Sequence, residues 1–182
     1  MKTRRVFKSS DLKSGDGMLT TVWGPSLWHY LHTMSFNYPV SPTKEQKKHY
    51  KDFILNLVHV LPCKYCRINL EKNFKTLPLS DSDMESRNTF SRYVYKLHET
   101  VNTMLGKKSN LTYCDVRERY EHFRARCTSE ISKTEKGCTE PLVGKKSKGI
   151  IRIVPQEEVC ETLQIDKQCL KSRVKTKKKQ NL

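Results

Sequence analysis

Asn88-Thr-Phe-Ser-Arg-Tyr-Val-Tyr-Lys-Leu-His-Glu-Thr-Val-Asn-Thr-Met-Leu105, followed at once by Gly106, is the stretch that decides the fold. Phe90, Tyr93, Val94, Leu97, Val101 and Leu105 recur at helical spacing, which puts them on one face of an α-helix. Gly106 suits the left-handed residue that ends such a helix. The same period extends outward. Trp28, Leu31, His32 and Ser35 share a face, with Pro25 placed for a first turn, and Tyr38-Pro39 and Ser41-Pro42 end that helix. A second helix is expected from about Thr43 to Leu61, with Phe53, Ile54, Leu57, Val58 and Leu61 on one side and Pro62 as its stop. Cys63 to about Phe74 reads as a third, short helix that offers Ile68, Leu70 and Phe74 for burial. Leu77 to Asn88 reads as a loop. A fifth helix is expected from Asp115, its N-cap candidate, to about Cys127, with Val116, Tyr120 and Phe123 inward. Gly149 to Val154 would suit a short strand, but no partner strand is visible. Without convincing alternation there is no sheet, so the fold class is all-α, a helical bundle.

Composition bounds the rest. A chain of 182 residues, 36% hydrophobic and 30% charged, suffices for one domain with a real core plus solvated segments. No apolar run approaches the roughly 20 residues that a membrane-spanning helix needs. The longest candidate, Phe53 to Pro62, is broken by Asn56 and His59. Met1 to Ser10 is basic without an apolar region, unlike a secretory signal, and it is a poor match for a mitochondrial presequence. The net charge of +16 raises the question of nucleic acid. Much of the excess sits in Lys171-Ser-Arg-Val-Lys-Thr-Lys-Lys-Lys179, which reads as a solvated tail. Loose attraction to polyanions or an anionic membrane fits that distribution better than specific nucleic-acid binding.

Chemistry concentrates in the cysteines. There are seven, Cys63, Cys66, Cys114, Cys127, Cys138, Cys160 and Cys169, so at least one is unpaired or pairs between chains. Cys63-Lys-Tyr-Cys66 at a helix start places two sulfurs one turn apart, where they can bond. The helix N-terminus, with Lys64 and Arg67, favours thiolate and hence fast exchange. The competing reading is a structural zinc site completed by His59 or His98 in a basic scaffold or nucleic-acid-binding protein. Such a site needs about four ligands, and no second Cys-x-x-Cys or His-x3-5-His element supplies them. A thioredoxin-like domain needs βαβ units that are not visible here. A dithiol oxidase needs an electron acceptor, and an aromatic cofactor needs aromatic walls with fixed polar groups. Trp28 and His32 on the first helix, and His98, Val101 and Asn102 on the fourth, offer both.

Taken in order, these residues resemble the Erv/ALR-type FAD-linked sulfhydryl oxidases. The matching elements are Trp28-x-x-Leu31-His32, Tyr38-Pro39, Leu61-Pro62-Cys63-x-x-Cys66, His98-x-x-Val101-Asn102-x-x-Leu105-Gly106-Lys107 and Val116-x-Glu118-Arg119-Tyr120. The resemblance covers about Trp23 to Cys127. It implies a four-helix bundle with a short fifth helix, and FAD held by Trp28, His32, His98, Val101, Asn102, Lys107 and Tyr120. Cys63 and Cys66 would be the catalytic pair, Lys107 and Lys108 would face the FAD phosphates, and Cys114 and Cys127 would form a structural disulfide. Glu99 stands where the family commonly has Asn, and Tyr120 where many members have Trp. No metal is implied.

The expected organisation is a flexible arm over 1–20, an FAD-binding oxidase domain over 21–127 and a basic, cysteine-containing extension over 128–182. The activity implied is oxidation of thiols to disulfides, with electrons passing through FAD to oxygen and giving hydrogen peroxide. The partners implied are protein thiols or a thioredoxin-like intermediary, and a second copy of the chain in a homodimer. The compact core looks like members from large cytoplasmic DNA viruses, which would place it in the host cytoplasm or virion; the mitochondrial intermembrane space is the alternative. Cys138, Cys160 and Cys169 lie outside the resemblance and read either as shuttle thiols or as incidental cysteines of a basic tail.

Overall fold

Helices form where the period-3.6 pattern runs, and side chains at their ends fix where they begin. The computed structural model describes residues 7–126 and 137–170. Among these, the helices are α1 (Thr20–Asn37), α2 (Lys44–Val60), α3 (Lys64–Thr76), α4 (Arg87–Met104) and α5 (Tyr113–Glu121). Thr43 caps α2: its hydroxyl accepts from the Gln46 amide at 3.2 Å, and Gln46 Oε1 accepts from the Thr43 amide at 2.9 Å. Ser86 and Thr89 form the same reciprocal box at the start of α4, and Thr112 and Asp115 at the start of α5. Each box satisfies helix-start amides that would otherwise lack partners. Gly106 ends α4 at φ +67°, with its amide on Thr103 O and the Lys107 amide on Asn102 O at 2.8 Å.

The chain divides into two compact units, Met1–Asn110 and Leu111–Leu182. In the first, α1 packs along α4, α2 along α3, and α3 also meets α4. Leu31, Ile54, Leu57, Phe90, Tyr93, Val94 and Leu97 form the buried core. Each such side chain contributes about 1.5–3 kcal/mol on leaving water. Tyr38 ends α1 and is fully buried: its hydroxyl donates to Met84 O at 2.8 Å, and its ring packs edge-on against Tyr50. Arg87 Nε donates to the Tyr38 carbonyl at 2.6 Å, which ties the start of α4 to the end of α1.

The second unit is sparser. Tyr113, Val116 and Tyr120 are the buried residues of α5. The strands β1 (Ala125–Arg126) and β2 (Glu140–Pro141) pair antiparallel, and the Leu142 amide donates to Arg124 O at 2.8 Å.

Several expectations need correction. Pro25 lies in the second turn of α1, because the helix starts five residues earlier, at Thr20. Asp115 is the third residue of α5 rather than its cap, since Thr112 takes that role, and α5 stops at Glu121. Gly149–Val154 forms no strand; Ile150, Ile151 and Ile153 are exposed. On the helices, Ile68 and Leu105 are exposed although their spacing placed them inward. Ile68 sits near the short helix's start and Leu105 is the cap residue of α4, positions where a helix face has little to cover it. No helix among the described residues is long and apolar enough to cross a membrane.

Candidate functional site

Cys63 and Cys66 form a disulfide at the start of α3, with Cα atoms 5.1 Å apart. Cys63 is the N-cap, with extended backbone at φ −160° and ψ 117°, and its Sγ accepts the Cys66 amide at 3.1 Å. Pro62 makes this start sharp, because it cannot continue α2. The two sulfurs face different surroundings. Cys66 packs against the hydrophobic core, whereas Cys63 is flanked by exposed Pro62 and Lys64. Tyr65, between them, is also exposed. Arg67 is turned back to donate from Nη1 to Leu61 O, so its guanidinium braces the end of α2.

The α1–α4 contact carries the aromatic and imidazole groups. Trp28 and His98 stack nearly parallel, with centroids 4.0 Å apart and an interplanar angle of 6°. His32 Nε2 and His98 Nδ1 lie 2.9 Å apart in a hydrogen bond, in which one ring donates and the other accepts. Burial pushes the His32 pKa down to about 3, and the neighbouring His98 and His29 add to the shift. Burial lowers His98 to about 4, with Glu99 opposing and Lys107 adding. Both rings are therefore neutral near pH 7 and act as hydrogen-bonding groups. Asn102 Nδ2 donates to Glu99 Oε1 at 3.0 Å, so Glu99 orients the Asn102 amide. Val101 is half-buried, and Lys107 and Lys108 are exposed just past the α4 cap.

Trp28, His32, His98, Val101, Asn102 and Lys107 thus fall on α1 and on α4 and its cap, within the first unit. Tyr120 lies on α5 in the second unit, where it is buried and its hydroxyl pKa is raised to about 12, chiefly by that burial. The Cys114–Cys127 pairing is not what the structure has at Cys114, which is a free, exposed thiol. Tyr113, Val116 and Tyr120 take the inner face of α5, so Cys114, one residue after Tyr113, is rotated outward. Cys127 lies outside the described residues. Cys138 is disulfide-bonded, while Cys160 and Cys169 are free.

Sequence reasoning missed the segment before α1. Asp16–Met18, assigned to a flexible arm, lies against the redox motif: Gly17 bridges Cys63 in antiparallel fashion. Gly15-Asp-Gly17 belongs to a polar, Gly- and Ser-containing stretch, and nothing in its spacing names the partner.

Comparison with known proteins agrees with this arrangement. The chain is 36% identical over 99 residues to a protein of Acanthamoeba polyphaga mimivirus described as a probable FAD-linked sulfhydryl oxidase, covering 54% of this chain and 68% of that one. It is 28% identical over 113 residues to an FAD-linked sulfhydryl oxidase of African swine fever virus, covering 62% and 91%. It is 33% identical over 84 residues to the mitochondrial FAD-linked sulfhydryl oxidase of Saccharomyces cerevisiae, covering 46% of this chain and only 43% of that one. The crystal structure of the yeast Erv1 core superposes with a TM-score of 0.51 at 28% identity, over 66% of this chain and 94% of that one. Residues 25–124 match the Erv1/Alr family model, and the chain belongs to that family.

Proposed function

We propose that this chain is an FAD-dependent thiol oxidase whose Cys63–Cys66 disulfide takes electrons from substrate thiols. The observation that carries the reading is that disulfide, set at a helix N-terminus with the Cys66 amide on Cys63 Sγ. A substrate thiolate bonds to Cys63 Sγ; the Cys63–Cys66 bond breaks and its electron pair leaves on Cys66 Sγ. A second substrate thiolate then attacks the substrate sulfur of this mixed disulfide. Oxidised substrate departs, and Cys63 is left as a thiolate on the Cys66 amide. Two electrons have moved from substrate to the cysteine pair. Cys63 is assigned to the substrate because its neighbours are exposed, and Cys66 to the inner side because it packs on the core.

The residues present fit a flavin nucleotide. The stacked Trp28–His98 pair gives an aromatic surface, and the neutral His32, His98 and Asn102 give hydrogen-bonding groups that suit an uncharged heterocycle. Lys107 and Lys108 add two cations suited to a diphosphate. Trp28, His32, His98, Val101, Asn102, Lys107 and Tyr120 are the residues proposed to hold FAD. Bound there, FAD supplies the two-electron acceptor that restores the disulfide, with oxygen as terminal acceptor giving hydrogen peroxide.

The proposed substrates are protein thiols or a thioredoxin-like intermediary, and the proposed assembly is a homodimer. The viral relatives favour the host cytoplasm or virion over the mitochondrial intermembrane space. The proposed oxidase domain spans 21–127, preceded by an arm over 1–20 and followed by a basic extension over 128–182. The test is direct. Purified full-length chain supplied with FAD should be yellow and should consume oxygen when given a small dithiol. A colourless protein that retains no flavin and takes up no oxygen would sink the reading.

A further inference from the structure

We propose that Gly17 is a positioning residue for Cys63, and that Asp16–Met18 is a backbone strap that holds this cysteine in its helix-capping conformation. The inference rests on the reading of Cys63 as the thiol-exchanging residue. Two main-chain hydrogen bonds flank the cysteine: the Met18 amide donates to Pro62 O at 2.7 Å, and the Lys64 amide donates to Asp16 O at 3.0 Å. Between them Gly17 faces Cys63 at φ +126°, a conformation that side-chain-bearing residues rarely adopt. A Cβ on Gly17 would lie 2.4 Å from Pro62 O and 2.7 Å from Cys63 Cα, both backbone atoms that no rotamer change can clear. The far end of the strap is anchored too, because Trp23 Nε1 donates to Met18 O at 3.1 Å. At its near end Ser14 Oγ donates to Asp16 Oδ2 at 2.8 Å.

This arrangement bears on exchange chemistry through the cap. Cys63 must stay extended for its sulfur to accept the Cys66 amide. The strap fixes the peptide units on both sides of Cys63, and it gives the Lys64 amide, one of the unsatisfied donors of α3, a partner of its own. When a substrate sulfur bonds to Cys63 Sγ, the Cys63–Cys66 bond breaks and Cys66 leaves as thiolate. Resolution by a second thiolate then releases Cys63 as a thiolate. A strapped Cys63 meets the Cys66 amide at once, which stabilises the reduced pair. Without the strap that charge-assisted hydrogen bond weakens, so the reduced form loses stability relative to the disulfide.

The test uses the full-length chain equilibrated in glutathione redox buffers, with the Cys63/Cys66 peptide quantified by thiol labelling and mass spectrometry. Gly17→Ala should shift the equilibrium about tenfold toward the disulfide, the order expected for one charge-assisted hydrogen bond, or about 30 mV for a two-electron couple. Trp23→Phe keeps a ring but removes the anchor to Met18 O, and should shift it in the same direction by less. Gly15→Ala is the control, since nothing lies within 4 Å of the added Cβ. If Gly17→Ala fails to fold, as judged by circular dichroism, Trp23→Phe carries the test. A folded Gly17→Ala (or, failing that, Trp23→Phe) whose equilibrium matches wild type overturns the strap. Retained turnover in Cys63→Ser overturns the reading beneath it.

Discussion

In Met1–Asn110, Ile54, Leu57, Val94 and Leu97 are buried between helices, whereas in Leu111–Leu182, Ile150, Ile151 and Ile153 are exposed along a segment without regular structure. Both units contain strong hydrophobes; what separates them is spacing and punctuation. The first sets its apolar residues three and four apart, opens α2 and α4 with capping boxes and ends α4 with a glycine. Ile150-Ile-Arg-Ile153 packs them too densely for one helical face, and no strand pairs with them among the described residues. The same contrast holds for sulfur. The first unit has its two cysteines in one motif, while the second carries an exposed Cys114, an exposed Cys160 and a half-buried Cys169 as free thiols.

The largest expected effect tests whether redox chemistry belongs to the first unit. Cys63→Ser and Cys66→Ser should each abolish oxygen uptake driven by a small dithiol, while Cys114→Ser should leave it unchanged. Trapping separates the two roles. Given a substrate in its disulfide form, Cys66→Ser should accumulate a mixed disulfide: the Cys63 thiolate bonds to one substrate sulfur, the other leaves as a thiolate, and the inner thiol that would displace the bound one is gone. Cys63→Ser should accumulate little. The opposite trapping pattern reverses the assignment, and activity in both variants moves the redox centre out of the motif.

Next in size is packing. Leu97→Ala removes a side chain that is 1% exposed, and should cost about 2–5 kcal/mol in urea unfolding. Ile151→Ala, at a position 77% exposed, should stay within about 0.5 kcal/mol. Equal effects would mean that the segment around Ile151 is covered in solution.

Acid provides a third test. His32 and His98 have folded-state pKa values lowered to about 3 and about 4 from 6.5, burial being the main cause in each. The unfolded chain therefore binds protons that the folded chain refuses. Stability contributed by neutral burial is complete above the unfolded pKa and declines as pH falls from there toward the folded values. Each histidine should add a slope of about 1.4 kcal/mol per pH unit in that window. Replacing His32 with Gln should flatten the slope measured by urea unfolding between pH 6.5 and about 4; an unchanged slope would place the acid sensitivity elsewhere.

How much of this was legible follows from the range of each interaction. The helices could be read because a period recurs along the chain: Phe90 to Leu97 and Gly106 declare α4 without reference to anything else. The redox motif could be read because Cys63 and Cys66 are one turn apart. His32 and His98 were candidates by spacing, but their 2.9 Å hydrogen bond depends on how α1 meets α4. Gly17 was illegible for the same reason, since its requirement for no side chain comes from Pro62 and Cys63, far along the chain. The Cys114 pairing was carried over from a resemblance, and local geometry opposes it. The inner face of α5 was already taken by Tyr113, Val116 and Tyr120.

The smallest effect expected is on small substrates, and it concerns the free thiols of the second unit. Cys160 is exposed and Cys169 half-buried, and neither is bonded to sulfur, so both are available for thiol–disulfide exchange. A thiol tethered to the same chain as Cys63 meets it at a local concentration set by the linking segment. A small dithiol reaches Cys63 without such help, whereas a bulky protein thiol gains from an intermediate carrier. The Cys160→Ser, Cys169→Ser double variant should therefore turn over a small dithiol like the parent chain and oxidise a reduced protein substrate more slowly. Cys138, already disulfide-bonded, is left intact so that the comparison changes free thiols alone. Parent-like rates on both substrates would assign Cys160 and Cys169 no part in electron transfer; a loss with the small dithiol as well would mean that they contribute to the centre itself.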